Sequence, residues 1–117
     1  MPVIDANIAR VLARLEDWRH PIDDACGSAF LQAAAERLLP VQGGRRHTSA
    51  VMELGALVCV AKAPRCRQCP VQAHCQAGEP EGLPVKRPRR EVEEVQDQRA
   101  FVWAQGKIWL ECSIGPR

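Results

Sequence analysis

The chain has 117 residues, enough for one small domain or for part of a larger protein. With 46% hydrophobic and 26% charged residues its composition is globular, and a net charge of +2 does not by itself point to a polyanionic partner. The opening Met1-Pro2-Val3-Ile4-Asp5 lacks the basic start and apolar run of a secretory signal, and no stretch approaches the length of a membrane span; the cytoplasm, where thiols stay reduced, is the expected compartment.

Taken in chain order, Asp5 precedes a helical pattern. Ile8, Val11, Leu12 and Leu15 fall at i, i+3, i+4 and i+7, with Arg10, Arg14 and Glu16 on the other face and Asp5 as the N-cap. His20-Pro21 breaks this helix. Asp23 or Asp24 then opens a second one, with Phe30, Leu31, Ala34 and Leu38 facing inward, and Pro40 and Gly43-Gly44 end it. A third helix is expected from Thr48 or Ser49. Its stretch from Val51 to Val58 is apolar nearly all round, which predicts a buried helix, and Gly55 predicts a close approach by a neighbour. This helix runs straight into Cys59.

Past Cys75 the texture changes. Gly78 to Pro84 and the basic run Lys86-Arg87-Pro88-Arg89-Arg90 read as a linker with little to bury, followed by acids from Glu91 to Asp97. Ala100 to Ala104 and Lys107 to Glu111 flank Gln105-Gly106, a hairpin signal. A lone hairpin is marginal in water, and Met1 stands only four residues before the first cap, so both ends read as cut short.

Between the third helix and the linker lies the densest chemistry of the chain. Cys59, Cys66, Cys69 and Cys75 have the spacing C-x6-C-x2-C-x5-C. Thiolates are soft ligands, and four together suit tetrahedral zinc or an iron–sulfur cluster. Structural zinc usually takes two tight C-x2-C pairs, whereas here only Cys66 and Cys69 form one, which fits a loop wrapped around a bulky cubane better. Two disulfides or four unrelated thiols form the plain alternative. His74 is a further candidate ligand, while Cys26 and Cys112 read as packing thiols.

The cysteine spacing, together with Met52-Glu53-Leu54-Gly55-Ala56 before it, resembles the helix-hairpin-helix DNA glycosylases of the endonuclease III superfamily. The opening from Pro2 to Leu15 is similar to the segment of MutY-type adenine DNA glycosylases that carries a catalytic Asp, here Asp5. The linker and hairpin resemble that family's connector and the first strands of its Nudix-like domain. Two departures stand out: Ala6 where Gly is common, and His47-Thr48-Ser49 where the family often has Phe-Asn-Gln.

The resemblance implies a mostly α fold: a helical [4Fe-4S] cluster domain over residues 1–78, a linker over 79–98 and the beginning of a Nudix-like domain over 99–117. It implies base-excision repair by an adenine DNA glycosylase acting, as a monomer, on double-stranded DNA with A·8-oxoguanine or A·G mispairs at the bacterial nucleoid. Cys59, Cys66, Cys69 and Cys75 would hold the [4Fe-4S] cluster, and Lys62, Arg65 and Arg67 would meet DNA phosphates. Breaking an N-glycosidic bond through an oxocarbenium-like transition state needs an acid for the leaving group and a carboxylate near the developing positive charge. The adenine must also leave the base stack. By resemblance Asp5 is that carboxylate, with Asn7 helping to place it. The plain reading of Asp5 is a helix cap worth about 1 kcal/mol, and both roles are compatible, since a helix N-terminus favours an ionised carboxylate. The family's catalytic Glu and glycine-rich DNA-binding hairpin have no counterpart in the sequence, so the chain alone is expected to be inactive. An endonuclease III-like glycosylase with lyase activity, which needs a nucleophilic Lys, and a non-enzymatic iron–sulfur or zinc module that binds nucleic acid are the alternatives.

Overall fold

The computed structural model describes residues 2–89, 91 and 102–109. Cys112, Arg90, most of the acidic run and the outer parts of the expected strands lie outside the described residues. Three helices and one small antiparallel hairpin make up the regular structure: α1 (Ala6–Leu15), α2 (Ala25–Leu38), α3 (Gly44–Leu57), β1 (Val102–Ala104) and β2 (Lys107–Trp109). Among the described residues no helix is long and apolar enough to cross a membrane.

Two carboxylates start two of the helices. The Ile8 N–H donates to Asp5 Oδ1 at 2.7 Å at the head of α1. The Gly27 N–H donates to Asp24 Oδ1, also at 2.7 Å, at the head of α2, so Asp24 rather than Asp23 is the cap. That backbone bond, helped by the nearby Arg87 guanidinium, lowers the Asp24 pKa below the ordinary carboxylate value. Before α2, the chain at Pro21 and Ile22 passes so close that a Cβ on Gly27 would sit 2.2 Å from the Pro21 carbonyl oxygen. A glycine is the only residue that fits there. Trp18 stacks on Phe30 with ring centroids 4.0 Å apart, closing this corner.

The core lies between α1 and its two neighbours. Ile8, Ala9 and Leu12 of α1 pack with Leu31, Ala34 and Ala35 of α2, and Val51 of α3 lies partly buried against them. The opposite side of α1 is buried as well, at Val11, Ala13 and Arg14. Arg14 is only 1% exposed, so it does not belong to a solvated face as the periodicity suggested. The reason is that its guanidinium finds backbone acceptors instead of water.

The third helix departs from expectation in two ways. It starts at Gly44, four residues early, because Gly43 in the left-handed conformation (φ 79°) turns the chain directly into it. Nor is it buried: Met52, Ala56 and Leu57 are exposed and only Gly55 is enclosed. Leu38 of α2, expected inward, is also exposed. The close approach at Gly55 is present, and the neighbour is Asn7 of α1: a Cβ at Gly55 would lie 2.8 Å from Asn7 Cβ and 3.0 Å from its carbonyl oxygen.

Beyond Cys75 the linker is anchored at its start. Leu83 is buried, the Ile22 N–H donates to the Val85 carbonyl, and the Arg87 N–H donates to Asp23. In the hairpin, Gln105 and Gly106 both have positive φ (53° and 73°), the geometry of a two-residue turn that matches strand twist.

The α1–α3 crossing at Gly55 gives a direct test. Gly55→Ala is expected to cost about 1–3 kcal/mol, because the new methyl meets backbone rather than a movable side-chain end. A denaturant midpoint equal to that of the parent protein would show that the helices do not approach this closely.

Candidate metal centre and the carboxylate at the head of the first helix

The cysteine loop grows out of the end of α3. The Cys59 N–H donates to the Leu54 carbonyl at 2.8 Å, which fixes the first thiol to the last helical turn. The Arg65 N–H then returns to the Val58 carbonyl at 2.9 Å, closing the six-residue excursion between the first two cysteines. Single 3-10 turns at Cys66–Gln68 and Gln72–His74 carry the chain through the remaining cysteines, with the Cys69 N–H bonded to Cys66 O and the Cys75 N–H to Gln72 O. After Cys75, the Gln76 and Ala77 N–H groups donate to the Leu15 and Arg14 carbonyls. The Leu15 carbonyl is one that the end of α1 would otherwise leave without a partner, whereas the Arg14 carbonyl also accepts from the Asp17 N–H. The first cysteine is therefore fixed to α3 and the last to α1.

All four thiols line one cavity of about 340 Å³, which Arg14 and Val58 also border. Cys59, Cys69 and Cys75 are half-buried and Cys66 is exposed, and all five described cysteines are free of disulfides. The exposed His74 is not among the residues that border the cavity. Among the described residues, no three His, Cys, Asp or Glu side chains converge tightly enough to hold a single ion. A zinc ion would draw its sulfurs to about 2.3 Å from one point. The four thiols border one cavity, and four soft donors there fit a metal group that takes one thiolate per metal.

Two arginines of α1 brace this loop. The Arg14 Nε donates to Leu83 O at 3.0 Å. Its Nη1 donates to Val60 O at 2.7 Å, to Cys59 O at 3.2 Å and to Cys59 Sγ at 3.3 Å, and its Nη2 donates to Ala61 O at 3.0 Å. One turn earlier, Arg10 donates from Nε to Cys59 O at 2.7 Å and from Nη2 to Gly55 O at 2.6 Å. Neither residue was singled out from the sequence. The available signal was an i, i+4 arginine pair on the helix leading toward the cysteines, and solvent-facing charge fits that pattern equally well.

At the other end of α1, Asp5 is half-buried. Besides capping the helix, its second carboxylate oxygen accepts from Asn7 Nδ2 at 3.3 Å. Asn7 Oδ1 in turn accepts from Arg10 Nη2 at 2.8 Å. A continuous run of hydrogen bonds thus leads from Asp5 through Asn7 and Arg10 to the Cys59 carbonyl. Lys62, Arg65 and Arg67 are all exposed on the loop, and no hydrogen bond or ion pair holds their side chains among the described residues.

No family model matches the chain. Individual relatives do. The chain is 39% identical over 94 residues to an adenine DNA glycosylase of Mycolicibacterium smegmatis, an overlap of 77% of this chain and 31% of the relative. It is 40% identical over 78 residues to the Arabidopsis thaliana adenine DNA glycosylase (66% of this chain, 12% of the relative). With the human adenine DNA glycosylase it shares 37% identity over 75 residues (64% of this chain, 14% of the relative). The chain thus spans a third or less of the length of these relatives, and it is a homologue of a segment of DNA glycosylases. Within that class the relatives are adenine-specific, and the chain corresponds to part of a MutY-type adenine DNA glycosylase.

Proposed function

We propose that this chain is the cluster-bearing part of an adenine DNA glycosylase that removes adenine mispaired with 8-oxoguanine or guanine, as a monomer acting on duplex DNA at the bacterial nucleoid. The observation that carries the proposal is the placement of the four thiols around one cavity at one end of α1, with Asp5 at the other end. In this reading Cys59, Cys66, Cys69 and Cys75 hold a [4Fe-4S] cluster. The cluster, when bound, pins the loop through four metal–thiolate bonds. Residues 1–78 form the helical cluster domain, 79–98 the linker, and 99–117 the start of a Nudix-like domain.

Asp5 supplies the negative charge that stabilises the sugar as the glycosidic bond breaks. Its two oxygens are held by the Ile8 N–H and by Asn7, so the carboxylate is fixed before any charge develops. Neither partner can protonate a leaving adenine, since an amide is not a general acid. The proton donor must therefore come from elsewhere in the enzyme. Lys62, Arg65 and Arg67, on a loop fixed at both ends, suit phosphate contacts that position the protein without reading sequence. The names of the relatives favour this reading over an endonuclease III-like lyase, and the C-x6-C-x2-C-x5-C spacing with its single tight pair favours it over a zinc module.

Metal analysis of the purified protein tests the centre of the proposal. About four irons per chain and a brown colour are expected. Zinc without iron would contradict the cluster assignment. On a duplex carrying A·8-oxoguanine, the 117-residue protein is expected to bind without releasing adenine. Alanine at Lys62, Arg65 and Arg67 together should reduce the slope of log affinity against log salt by up to about 3, at roughly 0.9 per phosphate contact. Adenine release by this chain alone, or an unchanged salt slope in the triple variant, would contradict the roles given to Asp5 and to the loop.

A further inference from the structure

Arg14 is the most buried charged residue described, and its charge has no carboxylate beside it. The ion pairs among the described residues join Arg19 to Asp17, Arg37 to Glu16 and Arg87 to Asp24, and Arg14 belongs to none of them. Its guanidinium is satisfied by four carbonyl oxygens and one sulfur, Cys59 Sγ. Carbonyl dipoles solvate a cation but do not neutralise it. The same residue borders the cavity between the thiols. On its main chain, the Arg14 carbonyl accepts from Cys75 Sγ at 3.4 Å, a bond that is lost when that thiol releases its proton to solvent on binding a metal, whereas the Asp17 and Ala77 N–H donors to the same carbonyl remain.

We infer that Arg14 is the counter-cation of the metal group held by the four thiolates, and that its N–H···S bond to Cys59 raises the reduction potential of that group and slows loss of the Cys59 ligand. The inference rests on the cluster assignment proposed above. Four thiolates on an iron–sulfur core leave a net negative charge in a cavity that, among the described residues, one other cation borders, the exposed Arg65, and adding an electron makes it more negative. A fixed positive charge against one ligand sulfur offsets that cost. The hydrogen bond withdraws electron density from the same sulfur, which acts in the same direction. Arg14 is suited to this and Lys would be less so. A planar fork can hold Val60, Ala61 and Leu83 carbonyls while the second Nη1 hydrogen is shared between Cys59 Sγ and the Cys59 carbonyl, whereas an ammonium must choose among them.

The test compares the full chain, reconstituted with iron and sulfide, with Arg14→Lys and Arg14→Met. Protein-film voltammetry should place the one-electron potential of Arg14→Met below that of the parent, with Arg14→Lys between them. Iron release to a chelator should accelerate by roughly tenfold or more in Arg14→Met. Equal potentials in the parent and both variants would overturn the inference, even if iron release were faster, because a residue that only braces the loop changes retention and leaves the potential alone. Should Arg14→Met take up no iron, the Arg14→Lys potential decides by the same criterion. Should neither variant load, resonance Raman spectra of the parent decide: an Fe–S stretch that shifts on transfer to deuterium oxide supports the N–H···S bond, and its absence overturns it. A parent protein that binds no iron defeats the cluster assignment itself, and this inference with it.

Discussion

The described structure depends on a buried guanidinium. Arg14 reaches from α1 into the space between the end of α3 and the linker, and it supplies donors to carbonyls at Cys59, Val60, Ala61 and Leu83. Without it the Val60, Ala61 and Leu83 carbonyls would need water or remain unpaired, at a cost of about 1–3 kcal/mol for each one buried, while Cys59 O would keep its bond from Arg10. Arg10 does the same one turn earlier for Gly55 and Cys59. The cysteine loop has little apolar surface of its own to bury, so backbone hydrogen bonds to α1 give it a definite shape. A loop held this way can keep four thiols around a void, and a group filling that void would in turn hold the loop.

This arrangement makes α1 the axis that the other parts share. Its N-terminus carries Asp5, its middle packs on α2 and α3, and its C-terminal carbonyls receive the chain leaving Cys75. Asn7 is where the parts meet. It bonds Asp5, accepts from Arg10, and lies against Gly55, so the helix crossing and the carboxylate's orientation depend on one side chain. A larger residue at Gly55 would therefore disturb more than packing. The carboxylate and the thiols are chemically unrelated, yet the same helix positions both.

What the sequence made legible follows from how local each signal is. Asp5 and Asp24 as caps, the turn at Gln105-Gly106, and the tight crossing at Gly55 each rest on a property of one or two residues. The cysteines were legible as candidate ligands because thiolate chemistry is narrow, and the structure brings all four to one cavity. Arg14 was not, since an arginine at i+4 from another arginine fits a wet helix face, and only the distant carbonyls of residues 59–61 and 83 make its burial favourable. Leu83 was hidden in the same way, inside a Pro- and Gly-rich stretch whose composition suggests nothing to bury. The start of α3 was placed late because Gly43-Gly44 reads as a stop, and Arg45, Arg46 and His47 offer no apolar period to mark a helix. The apolar side chains of α3 suggest burial, but Met52 and Leu57 remain 38% and 56% exposed among the described residues.

Through α1, the hydrogen bonds from Asp5 by way of Asn7 and Arg10 to Cys59 make the carboxylate and the cysteine cavity one mechanical unit. Amide hydrogen exchange, measured on the metal-free and the iron-reconstituted protein, addresses it most directly. The Ile8 amide reports on the Asp5 carboxylate to which it donates, and the Cys59 and Arg65 amides report on the loop. Iron loading is predicted to slow exchange at all three sites together, because the hydrogen bonds from Asp5 through Asn7 and Arg10 to Cys59 join them. Protection confined to Cys59 and Arg65, with Ile8 exchanging at its metal-free rate, would contradict the account.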